Sequence, residues 1–198
     1  MSPQKTGAKF RLLLVDDHPV VLDGYKLMLQ AQPDLDVCAT ASSEADALRA
    51  VEREQPDLVI TDLNMPGRGG LELIKDLAVL HPELKVVVCS MHDEMLYAER
   101  ALRAGAKGYL SKDTPGSVML AAIRRVLAGG VYVSERLAAR VLDAFATSRP
   151  RGSNSPIEKL SDREFEIFRL FGGGKTAKEI AAQLNLSPKT VSVHRDHI

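Results

Sequence analysis

Aspartates stand in two places where their chemistry can be used: Asp16-Asp17 follow the apolar run 10–15, and Asp62 follows Leu58-Val59-Ile60-Thr61. Ser90 ends another such run, and Lys112 comes just after one more. Carboxylates brought together repel one another and raise each other's pKa unless a cation intervenes. Oxygen ligands with room for water suit magnesium, a hard ion that keeps several waters and bridges carboxylates to phosphate. Such a set fits phosphoryl transfer, with Asp62 the nucleophile that forms an acyl phosphate and a metal and the Lys112 ammonium neutralising the transferring group. Taken singly, Asp62 reads equally as a strand-end cap, and Lys112 reads more readily as a surface lysine than as a site residue.

Bringing residues 16 to 112 to one point requires strands whose ends share an edge. The segment Pro56 to Gly67, PDLVITDLNMPG, supplies the central one. Its β-branched run over 57–61 has the character of a strand buried on both faces. Asn64-Met65-Pro66-Gly67 then stops the ladder, because Pro66 lacks an amide hydrogen and Gly67 tolerates positive φ. Further strands are predicted over 10–15, 35–39, 85–89 and 106–110. Helices are predicted from His18-Pro19 onward and over 43–54, 71–80, 94–103 and 115–128. In the 43–54 helix, Ala45, Leu48 and Val51 face inward. Alternation of this kind predicts an α/β fold, a doubly wound five-stranded parallel sheet, with right-handed crossovers carrying every strand end to one edge.

Beyond Gly129-Gly130 the texture changes. Residues 134–146 read as a helix with Leu137, Val141, Leu142 and Phe145 on one face, and 147–156, rich in Ser, Arg, Pro and Gly, as a flexible linker. Three short helices follow, two opened by the capping boxes Ser161-Glu164 and Thr176-Glu179, the third by Ser187-Pro188. Ile180, Ala181, Leu184, Leu186 and Val191 are spaced to share a core as in a helix-turn-helix, with Asn185 in the left-handed turn.

Composition narrows the classes. With 45% apolar and 26% charged residues the chain is globular. Its 26 basic and 26 acidic residues cancel, so any pull on DNA must be local. From Pro156 on, seven Lys or Arg stand against six Asp or Glu. No apolar run suits a membrane span and no leader is visible, residues 1–9 reading as a tail. Cys38 and Cys89 read as small buried hydrophobes in a reducing compartment. A dinucleotide fingerprint is excluded by Asp-Asp-His-Pro after the first strand. Gly172-Gly173-Gly174-Lys175-Thr176 is a turn and not a phosphate loop, since Arg169 stands where its first glycine belongs.

The constellation Asp16-Asp17, Asp62, Ser90, Tyr109 and Lys112 resembles the receiver domain of two-component response regulators. The string from Leu160 to the end resembles the LuxR-type output domain of NarL/FixJ regulators. The resemblance implies a receiver over 9–128 (flavodoxin-like), a linker helix and flexible linker over 129–156, and an all-α helix-turn-helix over 157–198. It implies a phosphate donated to Asp62 by a sensor histidine kinase. Magnesium would be held by Asp17, Asp62 and the main-chain carbonyl of Asn64, with Asp16 acting through water. Ser90 would bond the phosphoryl oxygen and Tyr109 would rotate into the space it leaves. Ser192, Val193 and Asp196 take the base-facing positions in the major groove, with Lys189, Thr190, His194 and Arg195 contacting phosphates or packing locally. Asp196 departs from expectation, because an acid repels phosphates and can accept only from a base amino group.

The expected protein is therefore a cytoplasmic, phosphorylation-switched transcription regulator rather than an enzyme. It would dimerise through its first and fifth, or fourth and fifth, receiver helices. The chain stops at Ile198, inside the recognition helix, so weak operator binding and a loosely held output domain are expected of this form. Two rivals share the residues: a phosphorylation-independent regulator with a vestigial pocket, and an aspartate-based phosphatase, which Asn64 disfavours because such enzymes usually place an acid there.

Overall fold

The computed structural model describes residues 8–65, 69–146 and 160–198 and divides into two compact units, Met1–Ser134 and Glu135–Ile198. The tail over 1–7, the Pro66-Gly67 turn and the linker over 147–156 lie outside the described residues, as do the side chains of Val141 and Phe145.

In the first unit β1 (Phe10–Val15), β2 (Leu35–Ala41), β3 (Leu58–Thr61), β4 (Lys85–Ser90) and β5 (Gly108–Ser111) form one five-stranded sheet in the order β2-β1-β3-β4-β5. Every neighbouring pair is parallel. The helices between them are α1 (Pro19–Gln30), α2 (Glu44–Glu54), α3 (Gly69–Leu80), α4 (Glu94–Ala104) and α5 (Gly116–Leu127). All four residues of β3 are buried, as a central strand covered on both faces requires. One core cluster unites Leu12, Leu14, Ile60 and Val87 of the sheet with Leu29 of α1 and Ile123 of α5. Each such side chain, withdrawn from water, contributes about 1.5–3 kcal/mol.

Three local expectations need correction. Strand β2 runs two residues further than predicted, because a bulge skips Cys38 between the pairs Leu12↔Val37 and Leu13↔Ala39 and the ladder continues to Ala41. Cys38 is thereby only half-buried, whereas Cys89 is buried. Strand β5 starts later, since the Ala106 amide is spent on the Ala101 carbonyl at the end of α4. In α2 the buried residues are Ala47, Ala50 and Val51, while Ala45 is exposed and Leu48 half-buried. Alanine carries too little apolar surface to decide which face of a helix turns inward.

In the second unit α6 (Glu135–Ala146) precedes α7 (Asp162–Gly172), α8 (Ala177–Gln183) and α9 (Pro188–His197). In α6 Leu137 is buried and Leu142 exposed. Both capping boxes form, Ser161 with Glu164 and Thr176 with Glu179, and Ser187 caps α9 ahead of Pro188. Asn185 adopts φ 52° in the turn between α8 and α9. Ile167 and Leu170 of α7, Ile180 and Ala181 of α8, Leu184 and Val191 share a small core, with Leu186 packed against it. Gly173 and Gly174 turn the chain between α7 and α8, with Gly174 at φ 81°.

Candidate functional site: an acidic pocket and an exposed helix

The sheet extends one hydrogen bond past its paired strands. Asp16 N donates to Ala41 O (3.1 Å) and Asp62 N to Val15 O (2.9 Å), which fixes both aspartates side by side at the carboxyl edge. There they are 3% and 4% exposed. Buried like charges need a counter-charge. Lys112, one residue beyond β5, provides it: Nζ lies 2.6 Å from Asp16 Oδ2 and 2.7 Å from Asp62 Oδ2. Burial by itself would lower the lysine's pKa, but the hydrogen bonds to Asp16 and Asp62 outweigh it and hold the ammonium above its ordinary value. The other Asp62 oxygen accepts from Leu63 N (2.6 Å) and Asn64 N (3.2 Å).

Asp17 is more open. Its Oδ1 is buried yet accepts no hydrogen bond from the described residues. His18 Nδ1 approaches it to 2.7 Å without hydrogen-bond alignment, and lies 3.1 Å from Asp16 Oδ1. The His18 amide also donates to Asp16 Oδ1 (3.0 Å). Ligand atoms of Asp16, Asp17, His18 and Asp62 all lie within 4.8 Å of one another. Hard oxygen donors, one of them left over, suit a divalent cation such as magnesium, and the residues fit that group. His18 escaped the sequence reading because a histidine before proline also reads as the opening of a helix; its adjacency to Asp16-Asp17 was the available signal.

Ser90 is fully buried at the end of β4, its carbonyl accepting from Lys112 N (3.0 Å) and its Oγ from His92 N (3.4 Å). Tyr109 is 1% exposed and its hydroxyl donates to the His92 carbonyl (3.0 Å), so the ring already occupies an inward position. Burial raises its pKa well beyond that of a free phenol. Beneath Asp62, Gly70 of α3 packs so closely that a β-carbon there would meet Asp62 O at 2.1 Å. No spacing in the sequence announces this contact.

In α9, Val191 points into the core and Lys189, Val193 and Asp196 are exposed. Thr190, Ser192 and His194 are half-buried. The Thr190 amide caps onto Ser187 Oγ (3.0 Å), and Ser192 Oγ donates to the Pro188 carbonyl (3.1 Å). Arg195 pairs with its neighbour Asp196 at 3.3 Å. Among the described residues no helix is long and apolar enough to cross a membrane.

A parallel sheet with a lysine-bridged acidic edge, followed by a capped helix-turn-helix, defines a receiver joined to a DNA-reading module. Residues 12–124 match the response regulator receiver domain and residues 158–198 the LuxR family of bacterial regulatory proteins. The chain belongs to the NarL/FixJ family of two-component response regulators, DNA-binding regulators of transcription. It is 36% identical over 192 residues to oxygen regulatory protein NreC of Staphylococcus haemolyticus (strain JCSC1435), covering 95% of this chain and 88% of that protein. Among solved structures it resembles a LuxR-family response regulator from Aurantimonas sp. SI85-9A1 (31% identity, TM-score 0.66, 70% of this chain and 99% of that one). It also resembles RcsB of Salmonella typhimurium (26% identity, TM-score 0.70, 96% and 88%). An RcsB–DNA complex matches with 26% identity and TM-score 0.63, over 96% of this chain and 89% of that one.

Proposed function

We propose that Asp62 accepts a phosphoryl group from the phosphohistidine of a sensor kinase and that this modification switches DNA binding by α9. The observation that carries the reading is the buried Lys112 bridge: one ammonium within 2.7 Å of Asp62 and 2.6 Å of Asp16. A vestigial pocket has no reason to keep two buried acids around a cation, since replacing such a set by apolar residues is often neutral or stabilising. An Asp62 carboxylate oxygen attacks phosphorus, the phosphorus–nitrogen bond breaks, and the leaving imidazole takes up a proton. Lys112 is placed to follow the charge that moves onto the phosphoryl oxygens.

Asp17, Asp62 and the Asn64 carbonyl would hold magnesium, with Asp16 acting through water. When bound, the ion neutralises charge between carboxylate and phosphate. Ser90 is the proposed hydrogen-bond donor to the phosphoryl group, and Tyr109 reports its movement through the His92 carbonyl. The kinase would dock over the apolar groove of about 540 Å³ lined by Val20, Gly24, Tyr25, Met28 and Met119, with Lys112 at its edge. On DNA, the exposed Lys189, Val193, Arg195 and Asp196 would face outward from α9, with half-buried Thr190, Ser192 and His194 at their flanks. Half-buried Thr190 and His194 are proposed to pack locally, and exposed Lys189 to contact a phosphate. A twofold pair of chains suits a two-part operator, in keeping with the RcsB dimers seen on DNA. Transcription places this work in the cytoplasm.

The test is incubation with magnesium and a small phosphodonor, followed by mass measurement and operator binding. One phosphoryl adduct, lost in Asp62→Asn and labile to hydroxylamine, is expected, together with a change in DNA affinity. DNA binding indifferent to an adduct that does form identifies the phosphorylation-independent regulator; rapid turnover of phosphate esters identifies the phosphatase.

A further inference from the structure

After α5 the chain returns to the sheet before it leaves the first unit. Tyr132 bridges Gly108 in parallel, its amide donating to Lys107 O (2.9 Å) and its carbonyl accepting from Tyr109 N (3.0 Å). This covers the open edge of β5. Two residues on, Ser134 immediately precedes α6 and is gripped by Glu94, the first residue of α4. The Ser134 amide donates to Glu94 Oε1 at 3.0 Å, and the Ser134 hydroxyl donates to Glu94 Oε2. Glu94 sits in the first turn of α4, where the helix end favours its negative charge, and both hydrogen bonds are charge-assisted.

The same short turn is held at two other points. Ser90 Oγ accepts from the His92 amide, and the His92 carbonyl accepts from the Tyr109 hydroxyl. Ser90, His92 and Glu94 thus contact, in order, the main chain of Lys112, the tyrosine of β5 and the chain that leads to α6. We propose that Glu94 and Ser134 form a latch through which the state of the pocket reaches the segment entering α6. The proposal rests on Asp62 being the phosphorylated residue. Phosphorylation draws the Ser90 hydroxyl toward the phosphoryl oxygen and the turn over 91–93 shifts with it. Hydrogen bonds fail steeply with lengthening and misalignment, so a shift of about 1 Å at Glu94 opens both. Residues 131–134 then loosen from the edge of β5 and α6 gains freedom.

Hydrogen–deuterium exchange of the full chain, with and without magnesium and the phosphoryl analogue beryllofluoride, reads this directly. In the wild type the peptide over 131–138 is expected to exchange at least tenfold faster with the analogue. Glu94→Gln and Ser134→Ala should reach most of that rate without it, and the analogue should then add little. Asp62→Asn should not respond. Protection of the turn over 90–93 by the analogue with unchanged exchange over 131–138 overturns the latch and leaves the phosphorylation reading standing. Unchanged exchange over 131–138 in both Glu94→Gln and Ser134→Ala overturns it equally. If the analogue alters no peptide of the pocket, the phosphorylation reading fails and the switching role fails with it.

Discussion

Replacing Gly70 by alanine adds a single methyl group to the molecule, yet the structure places it where the backbone of Asp62 runs. The new carbon would lie 2.1 Å from Asp62 O, 2.7 Å from Leu63 Cα and 2.9 Å from Asp62 C. All three are backbone atoms, so no rotamer change relieves the clash. The Gly70 amide also donates to Leu63 O at 3.0 Å, so α3 cannot move away without breaking that bond. Relief to ordinary contact requires about 1 Å of displacement, and overpacking of this kind costs about 1–3 kcal/mol. For a unit of this size that lowers Tm by roughly 5–15 °C. The larger effect falls on chemistry: Asp62 moves relative to Lys112, now 2.7 Å away, and a misplacement of about 1 Å can slow a reaction by about 100-fold. Phosphorylation by a small donor, measured beside a thermal melt, should fall by one to two orders of magnitude, about 10- to 100-fold. Gly24→Ala is the control, because nothing lies within 4 Å of its added carbon and alanine in mid-helix gains about 0.5–1 kcal/mol. A Gly70→Ala protein that melts and phosphorylates like the wild type refutes the packing argument.

Lys112→Met leaves Asp16 and Asp62 buried without their ammonium, which should cost about 3–5 kcal/mol by urea unfolding and make the variant's Tm rise more steeply with magnesium than the wild type's. A loss under about 1 kcal/mol would show the bridge to be incidental. Burial pushes the Cys89 thiol up from its ordinary 9.0 to about 11, despite a lowering hydrogen bond with Tyr25. The unfolded chain therefore loses that proton first, so stability is fully present below pH 9 and declines by about 2–3 kcal/mol toward pH 11. Cys89→Ala should flatten this decline, and unfolding curves with the same alkaline slope in both proteins would disprove the assignment. At Asn185, φ 52° makes alanine cost about 1 kcal/mol while glycine should be neutral, read from the helical melt; equal losses in both variants would place the cost elsewhere.

Much of the fold was legible because its signals are local. Runs such as Leu58–Thr61 and Lys85–Ser90 are β-branched and short, and the proline and glycine punctuation around them leaves little choice of element. Capping boxes at Ser161 and Thr176, and Asn185 in its turn, are satisfied within three or four residues of themselves. Misreadings cluster where a neighbour in space decides. At Cys38 the pairing of β1 with β2 shifts register by one residue, and in α2 it is Ala47, Ala50 and Val51 that are buried while Ala45 is exposed.

For the pocket, the residue types at strand ends named Asp16, Asp17, Asp62 and Lys112 in advance, since a parallel sheet leaves its carboxyl ends together whatever its loops do. Which atoms touch was beyond the sequence. That one ammonium serves two carboxylates, that Gly70 lies under Asp62 and that Glu94 holds Ser134 are matters of distance between segments well separated in the chain. Composition and periodicity set the order of the elements; close packing of their side chains set the contacts, because only there do separations of a few tenths of an ångström acquire an energy.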